Sequence, residues 1–405
     1  MTQDDNQFSQ NLDEFLNRIR EWYRTDRKGF KTLYDATIEH VVPCPVSTKD
    51  KVYYDWTGKD IEGLCAFFTE WYEWDWKCGV PDGLDYIEKF SWLNYENDYG
   101  MVFVTSGPGY EMTADFTHLQ GMQMDESGPK AKELINKWID ELGPKRMADY
   151  EPEDWQTFNE FFIRKLKPGK RPVTAKDDNT VVVAPADCVI NMIVDELKED
   201  TPIPVKSVTM NVRQLLDGSE YADKFLDGTA VSCILMPDSY HWYHAPVAGR
   251  VVEARDDVGG VYYGMRDFPG LLNKGDVGYG YDYSMFDDFR RGYLIIKTVA
   301  PNALGEPVDE GYVAQVPVGL NSIASVNFLD KFKGELPVMV EKGEQIGNFQ
   351  YGGSLNILLF EKGRFPALQL LQGQRIGLLE PPERTQALFS RSRPTRPLRR
   401  RPLAP

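Results

Sequence analysis

No apolar run in the chain approaches the ~20 consecutive residues that a membrane-spanning helix needs. Cysteine is scarce: Cys44, Cys65, Cys78, Cys188 and Cys233 are odd in number, scattered, and form no Cys-x-x-Cys pair. That argues against a disulfide framework and against a cysteine-built zinc site, and makes a reducing compartment the expectation. There is no P-loop, no Gly-x-Gly-x-x-Gly turn and no internal repeat. Histidine is limited to His40, His118, His241 and His244. Basic charge is short over most of the chain: 46 Lys and Arg against 62 Asp and Glu give −16. An acidic body is repelled by nucleic acid and by anionic lipid. The N-terminus, Met1-Thr-Gln-Asp-Asp-Asn-Gln, is polar and acidic and does not read as a signal or transit peptide. These absences lead to the expectation of a soluble, cytoplasmic protein with no metal and no nucleic-acid partner.

What is present suits a folded chain. Hydrophobic residues make up 42% and aromatics 13% of 405 residues, enough for two domains. Residues 1–150 carry apolar side chains at helical spacing: Phe8, Leu12, Phe15, Leu16 and Ile19, then Ile61, Leu64, Cys65, Phe68 and Trp71. A further helix is punctuated by Ser127 as N-cap, Pro129 in the first turn and Gly143 as the stop. Another is expected over 153–166, ending at Lys167-Pro168-Gly169. The texture then changes to short β runs, at 181–184, 189–194, 230–236, 250–254, 293–298, 312–318, 322–328 and 356–360, separated by Gly, Pro, Asp and Asn. Most gaps have no crossover helix, so a parallel doubly wound sheet is not expected. The fold class is α+β: a helical N-terminal domain (1–150) followed by a β-rich, barrel-like catalytic domain (151–390). Residues 391–405 hold six arginines and four prolines without an acid, and read as a disordered tail.

Three features carry chemistry. Met236-Pro-Asp-Ser-Tyr-His-Trp-Tyr-His-Ala-Pro-Val-Ala-Gly249 holds two of the four histidines beside a strand end, as a proton-transfer pair or as a structural pair hydrogen-bonded in a loop. Ala184-Pro-Ala-Asp187 sets an aspartate in a turn, where it can orient a histidine or simply cap the turn. Tyr351-Gly352-Gly353-Ser354 runs straight into the last β run. Its double glycine is a turn or bulge, and it also leaves the Gly353 carbonyl open to the Ser354 hydroxyl.

With Phe158-Asn-Glu-Phe-Phe-Ile-Arg-Lys-Leu-Lys-Pro-Gly-Lys-Arg-Pro172 and Val340-Glu-Lys-Gly-Glu-Gln-Ile-Gly347 added, the chain from about 155 to about 380 resembles the phosphatidylserine decarboxylase family. In layout it is nearest the soluble, tryptophan-decarboxylating branch. The resemblance implies self-cleavage between Gly353 and Ser354, with Ser354 becoming a pyruvoyl group at the new N-terminus. It implies His244 as the base for Ser354, Asp187 as its orienter, and His241 in substrate positioning or reprotonation. The pyruvoyl cofactor would condense with a substrate amine as a Schiff base and accept the electrons released with CO2. The two cleaved chains would stay together, with a homo-oligomer left open.

The chain departs from the family pattern at two points. Ala-Asp-Gly is here Ala186-Asp187-Cys188, and Asp-Tyr-His-Arg is Ser239-Tyr240-His241-Trp242. Loss of that guanidinium, the acidic body, and the aromatics Tyr262, Tyr263, Phe268, Tyr279, Tyr281, Tyr283, Phe286 and Phe289 favour a soluble, aromatic amino-acid substrate over phosphatidylserine. Two non-enzymatic alternatives remain: a biotinyl- or lipoyl-like carrier module, which lacks the modified lysine at its hairpin tip, and an uncut scaffold.

Overall fold

A computed structural model describes residues 8–41, 54–80, 85–95, 97–106, 108–198, 203–205, 208–236, 238–259, 290–301, 307–319, 326–352, 354–365, 368–370 and 372–373. The tail 391–405 lies outside them. The first part is helical, as the apolar periodicity predicts: α1 (Leu12–Thr25), α2 (Phe30–His40), α3 (Ile61–Asp75), α4 (Asp85–Tyr95), α5 (Asp98–Ser106), α6 (Pro108–Met124) and α7 (Pro129–Met147). Helix α1 starts where the Asn11 side chain accepts the Glu14 N–H, and it buries Phe15, Leu16 and Ile19. Phe8, expected on the same stripe, is half-exposed and stacks on His118. Helix α7 is capped by Gly128 rather than Ser127. Gly143 (φ 74°) kinks it without ending it, and one more turn follows from Pro144 to Met147. None of the described helices is long and apolar enough to cross a membrane.

The helix expected over 153–166 contracts to α8 (Phe158–Phe162), started by a capping box between Thr157 and Glu160. Its C-terminal continuation is drawn off instead into a bridge between Leu166 and Tyr150.

The strands follow: β1 (Val189–Val194), β2 (Ile203–Val205), β3 (Val208–Met210), β4 (Thr229–Leu235), β5 (Trp242–His244), β6 (Gly249–Val258), β7 (Arg291–Pro301), β8 (Pro307–Gly319), β9 (Val326–Phe328), β10 (Val338–Val340), β11 (Gln345–Phe349) and β12 (Ser354–Phe360). The run at 181–184 is extended but unpaired as a strand, held by one bond from the Val183 N–H to the Pro246 carbonyl. A seven-stranded antiparallel sheet has the order β1-β4-β12-β8-β7-β6-β10, and a second sheet the order β5-β11-β9. The described strands of the large sheet leave β1 and β10 as free edges, so they form an open sheet, which corrects the barrel-like expectation. The β6–β7 pairing carries two register shifts, between Val251 and Glu253 and between Arg255 and Val258.

Strand β12 decides where the layers meet. It pairs with β4 on one side and β8 on the other, and all seven of its residues are buried. Leu355, Ile357 and Leu359 join one apolar cluster with Phe15, Phe68 and Phe116 of the helices. Leu358 and Phe360 join another with Tyr243 and Phe349 of the small sheet. By alternation, Ser354 and Asn356 belong to that second face. Replacing Ile357 by Ala empties the helix-side layer and is expected to cost about 2–5 kcal/mol in urea denaturation; a loss below 1 kcal/mol would contradict this packing.

Candidate active site

His244 ends β5, and its backbone N–H is held by the Pro185 carbonyl at 2.7 Å, which brings the Asp187 turn alongside. Its Nδ1 lies 2.7 Å from the Gly343 carbonyl. A carbonyl only accepts, so the neutral ring carries its proton on Nδ1 and presents a lone pair on Nε2. Gly343 adopts φ 79°, and a Cβ there would lie 2.3 Å from Val173 Cγ2, so the turn that aims this carbonyl needs glycine. His244 Nε2 meets the Tyr240 hydroxyl at 3.1 Å, and Gln345 Nε2 donates to the same hydroxyl at 3.1 Å. Burial lowers the His244 pKa, against the opposing pull of the Gly343 carbonyl and the Asp187 charge. Burial likewise pushes Tyr240 up to about 12.

Asp187 does not touch His244. Its carboxylate takes a bidentate pair from Arg171, at 2.7–3.1 Å, and Arg171 also reaches Asp149 at 2.9 Å. Asp187 therefore acts on the histidine through its charge, and the Gly343 carbonyl supplies the orientation expected of the aspartate. Cys188, the residue after it, turns to the Cys233 thiol. Asp187, Tyr240, His244 and Gln345 share a cavity of about 530 Å³ with Arg171 and Lys165.

Ser354 and His241 lie elsewhere. Ser354 opens β12 between Leu235 and Gly319, is wholly buried, and its Oγ has no hydrogen-bond partner. The loop before it is tied down: the Tyr351 N–H donates to Asn159 Oδ1 at 3.1 Å, and the Tyr351 hydroxyl sits 3.6 Å from Cys78 Sγ. Gly352 takes φ 142°, open to glycine and strained for other residues. Gly353 lies outside the described residues, as does the aromatic stretch from Tyr262 to Phe289.

His241 is wholly buried beneath Phe162, ring centroids 3.9 Å apart, and neither ring nitrogen has a hydrogen-bond partner. Burial, then the Arg164 guanidinium, lowers its pKa to about 3. Arg164 is itself buried, stacked 4.3 Å from the Tyr150 ring centroid, and donates to the Asp238 and Ser239 carbonyls at 3.3 and 3.2 Å. Trp242, in the position of the family's arginine, donates its Nε1 to the Ile163 carbonyl at 2.7 Å. The structure thus brings His244 and Asp187 to one cavity and sets Ser354 and His241 in the interior, with no Ser354–His244 hydrogen bond. Sequence reasoning missed Asn159, Phe162, Arg164 and Gly343. All four stand in the two quoted motifs, but nothing in the spacing singles them out from their neighbours there.

Comparison with known proteins matches residues 158–379 to the family model described as phosphatidylserine decarboxylase. The chain is 29% identical to phosphatidylserine decarboxylase proenzyme 2 of Oryza sativa over 66% of its own length, but spans only 39% of that protein. It is 30% identical to the phosphatidylserine decarboxylase proenzyme of Fusobacterium nucleatum, over 59% of this chain and 71% of that one. To the proenzyme of Anoxybacillus flavithermus it is 31% identical, over 67% of this chain and 92% of that one. These matches define a carboxy-lyase of the pyruvoyl-dependent class, whose proenzymes make the cofactor from a serine by self-cleavage. The chain belongs to the phosphatidylserine decarboxylase family.

The buried His241 yields a pH prediction. In the unfolded chain its ring takes a proton below about 6.5; in the folded chain it stays neutral down to about 3. The unfolded state therefore binds more protons between those values, and stability falls as pH drops through them. Between pH 7 and pH 5 the wild type is expected to lose about 2 kcal/mol that His241→Gln keeps, read by urea denaturation. Equal losses in the two proteins would show that the ring is not neutral and buried.

Proposed function

We propose that the protein cuts itself between Gly353 and Ser354 and then decarboxylates the serine head group of a phospholipid. The observation that carries the first half is the Ser354 hydroxyl: wholly buried, without a partner, behind two glycines and at the head of a strand paired on both sides. A buried hydroxyl left unpaired is costly unless it has chemistry to perform. Ser354 Oγ attacks the Gly353 carbonyl and gives up its proton to His244 Nε2, the lone-pair nitrogen that Gly343 fixes. Tyr240 gives way at that nitrogen, and Asp187 stabilises the charged ring across the cavity. The Gly353–Ser354 amide bond breaks as the ester forms. Loss of the Ser354 α-proton then expels Gly353 as a carboxylate and leaves dehydroalanine. Its imine tautomer takes up water and releases ammonia to leave a pyruvoyl group at the new N-terminus. The same residue fits the pyruvoyl group, which supplies an electron-accepting carbonyl. His241, neutral and dry, is suited to take up and return a single proton beside it.

Purified protein is expected to contain a chain ending at Gly353 and a chain of residues 354–405 with a blocked N-terminus, as read by mass spectrometry. His244→Ala and Asp187→Ala are expected to leave most of the protein uncut, whereas His241→Ala cuts and then turns over at least 100-fold more slowly, about 3 kcal/mol of barrier. Cleavage blocked by His241→Ala and spared by His244→Ala would reverse the two roles.

The substrate half rests on the relatives, which are named for phosphatidylserine. The indole that stands in the family's arginine position is committed to the Ile163 carbonyl. CO2 release is expected from phosphatidylserine vesicles at a kcat/KM at least tenfold above that from free tryptophan or serine. Turnover of free tryptophan alone would restore the soluble amino-acid reading.

A further inference from the structure

Two buried amides stand on the same face of the sheet as Ser354. Asn356 follows Ser354 by two residues, so its side chain projects from the same face about 7 Å along the strand. Gln315 comes from β8, where it lies opposite Leu358 while Asn356 lies opposite Pro317, so the two amides are diagonal neighbours. Both are fully buried. Gln315 Nε2 donates to Asn356 Oδ1 at 3.2 Å, which leaves Asn356 Nδ2 and Gln315 Oε1 without partners. Exchanging the oxygen and nitrogen of both amides changes the labels only: one N–H donor and one carbonyl acceptor still remain unmet. The surroundings on that face are apolar, including Val231, Leu235, Val313, Leu358 and Phe360. An aliphatic pair would fill such a layer at lower cost.

We propose that Asn356 and Gln315 are substrate-positioning residues that receive the amino-acid end of the substrate, its α-carboxylate on the free N–H and its α-amine on the free carbonyl. This rests on the reading of Ser354 as the reacting residue. The free pair has one donor and one acceptor, matching a carboxylate beside an amine. The donor is neutral, and that suits the reaction. A guanidinium would hold the carboxylate as a bidentate ion pair and stabilise the ground state whose charge must leave, whereas a single amide N–H orients it with weaker hold. The chemistry recognised is common to the serine end of a phospholipid and to a free amino acid.

The test compares wild type with the shape-matched double variant Asn356→Leu/Gln315→Met, both as full chains after cleavage. Two probes carry a hydroxyl in place of the α-amine and so cannot condense with a carbonyl: glycerophosphoglycerate, standing for the phospholipid head group, and indole-3-lactate, standing for a free aromatic amino acid. Calorimetry is expected to show one of them binding wild type and binding the double variant at least tenfold more weakly, and which one binds identifies the source. KM for the matching amine substrate rises by the same factor, while the small chain still starts at residue 354, its mass shifted only by the Asn356→Leu replacement, and the melting temperature is not lowered. Binding within twofold of wild type overturns the proposal, as does a lowered melting temperature with binding unchanged, which assigns the amides to packing. If the double variant does not fold, the isosteric Asn356→Asp decides: a carboxylate there repels the probe at least tenfold, and unaltered binding overturns the proposal. A wild-type chain that remains uncut sinks the reading of Ser354 and is seen before any probe is added.

Discussion

Strand β12 is buried on both faces and paired along both edges, and the site depends on that. A central strand cannot slip by one residue without exchanging every side chain between two different cores. Leu355, Ile357 and Leu359 are locked into the helical layer, so Ser354 and Asn356 are locked to the other side. Ser354 thus gains a fixed direction from three aliphatic residues that have no chemistry. The helices secure the loop before it by the same economy. Asn159 holds the Tyr351 backbone, and the Tyr351 ring packs between Trp138, Phe158 and Phe162.

The two histidines, three residues apart, receive opposite environments from the small sheet. His241 turns under Phe162 into a dry layer, where burial and a neighbouring guanidinium keep it neutral. His244 ends the strand at a cavity, with one nitrogen on a carbonyl and the other on a hydroxyl. One ring is free of hydrogen bonds and uncharged; the other has a fixed tautomer and a carboxylate charge within reach.

Much of this was legible in the sequence. Helical periodicity located the buried faces of α1 and α3, and the run at Val189–Val194 was placed to the residue, because long apolar patterns bounded by turn residues are the strongest local signal. The family resemblance pointed to the serine and both histidines. What stayed hidden was set by distant pairing. The end of α8 was lost to a bridge with Tyr150, eight residues before its first turn. The Asp187–His244 bond, inferred from motif order, is replaced by the Gly343 carbonyl and an Arg171 pair. No single-sequence pattern reports which backbone carbonyl a turn will aim at a ring. Asn356 stands in the sequence only as the first residue of the last β run; its burial and unmet donor come from the structure.

Charge supplies the last step. The body of the chain is acidic, yet the interior beside His241 holds Arg164, fully buried and bonded to carbonyls and the Tyr150 hydroxyl, with no carboxylate in ion-pair contact among the described residues. A buried cation without a counter-ion is costly, and burial lowers its pKa accordingly. Two consequences follow from the one charge. It opposes protonation of His241, which keeps that ring available as a base, and it makes the interior attractive to an anion despite the sign of the surface.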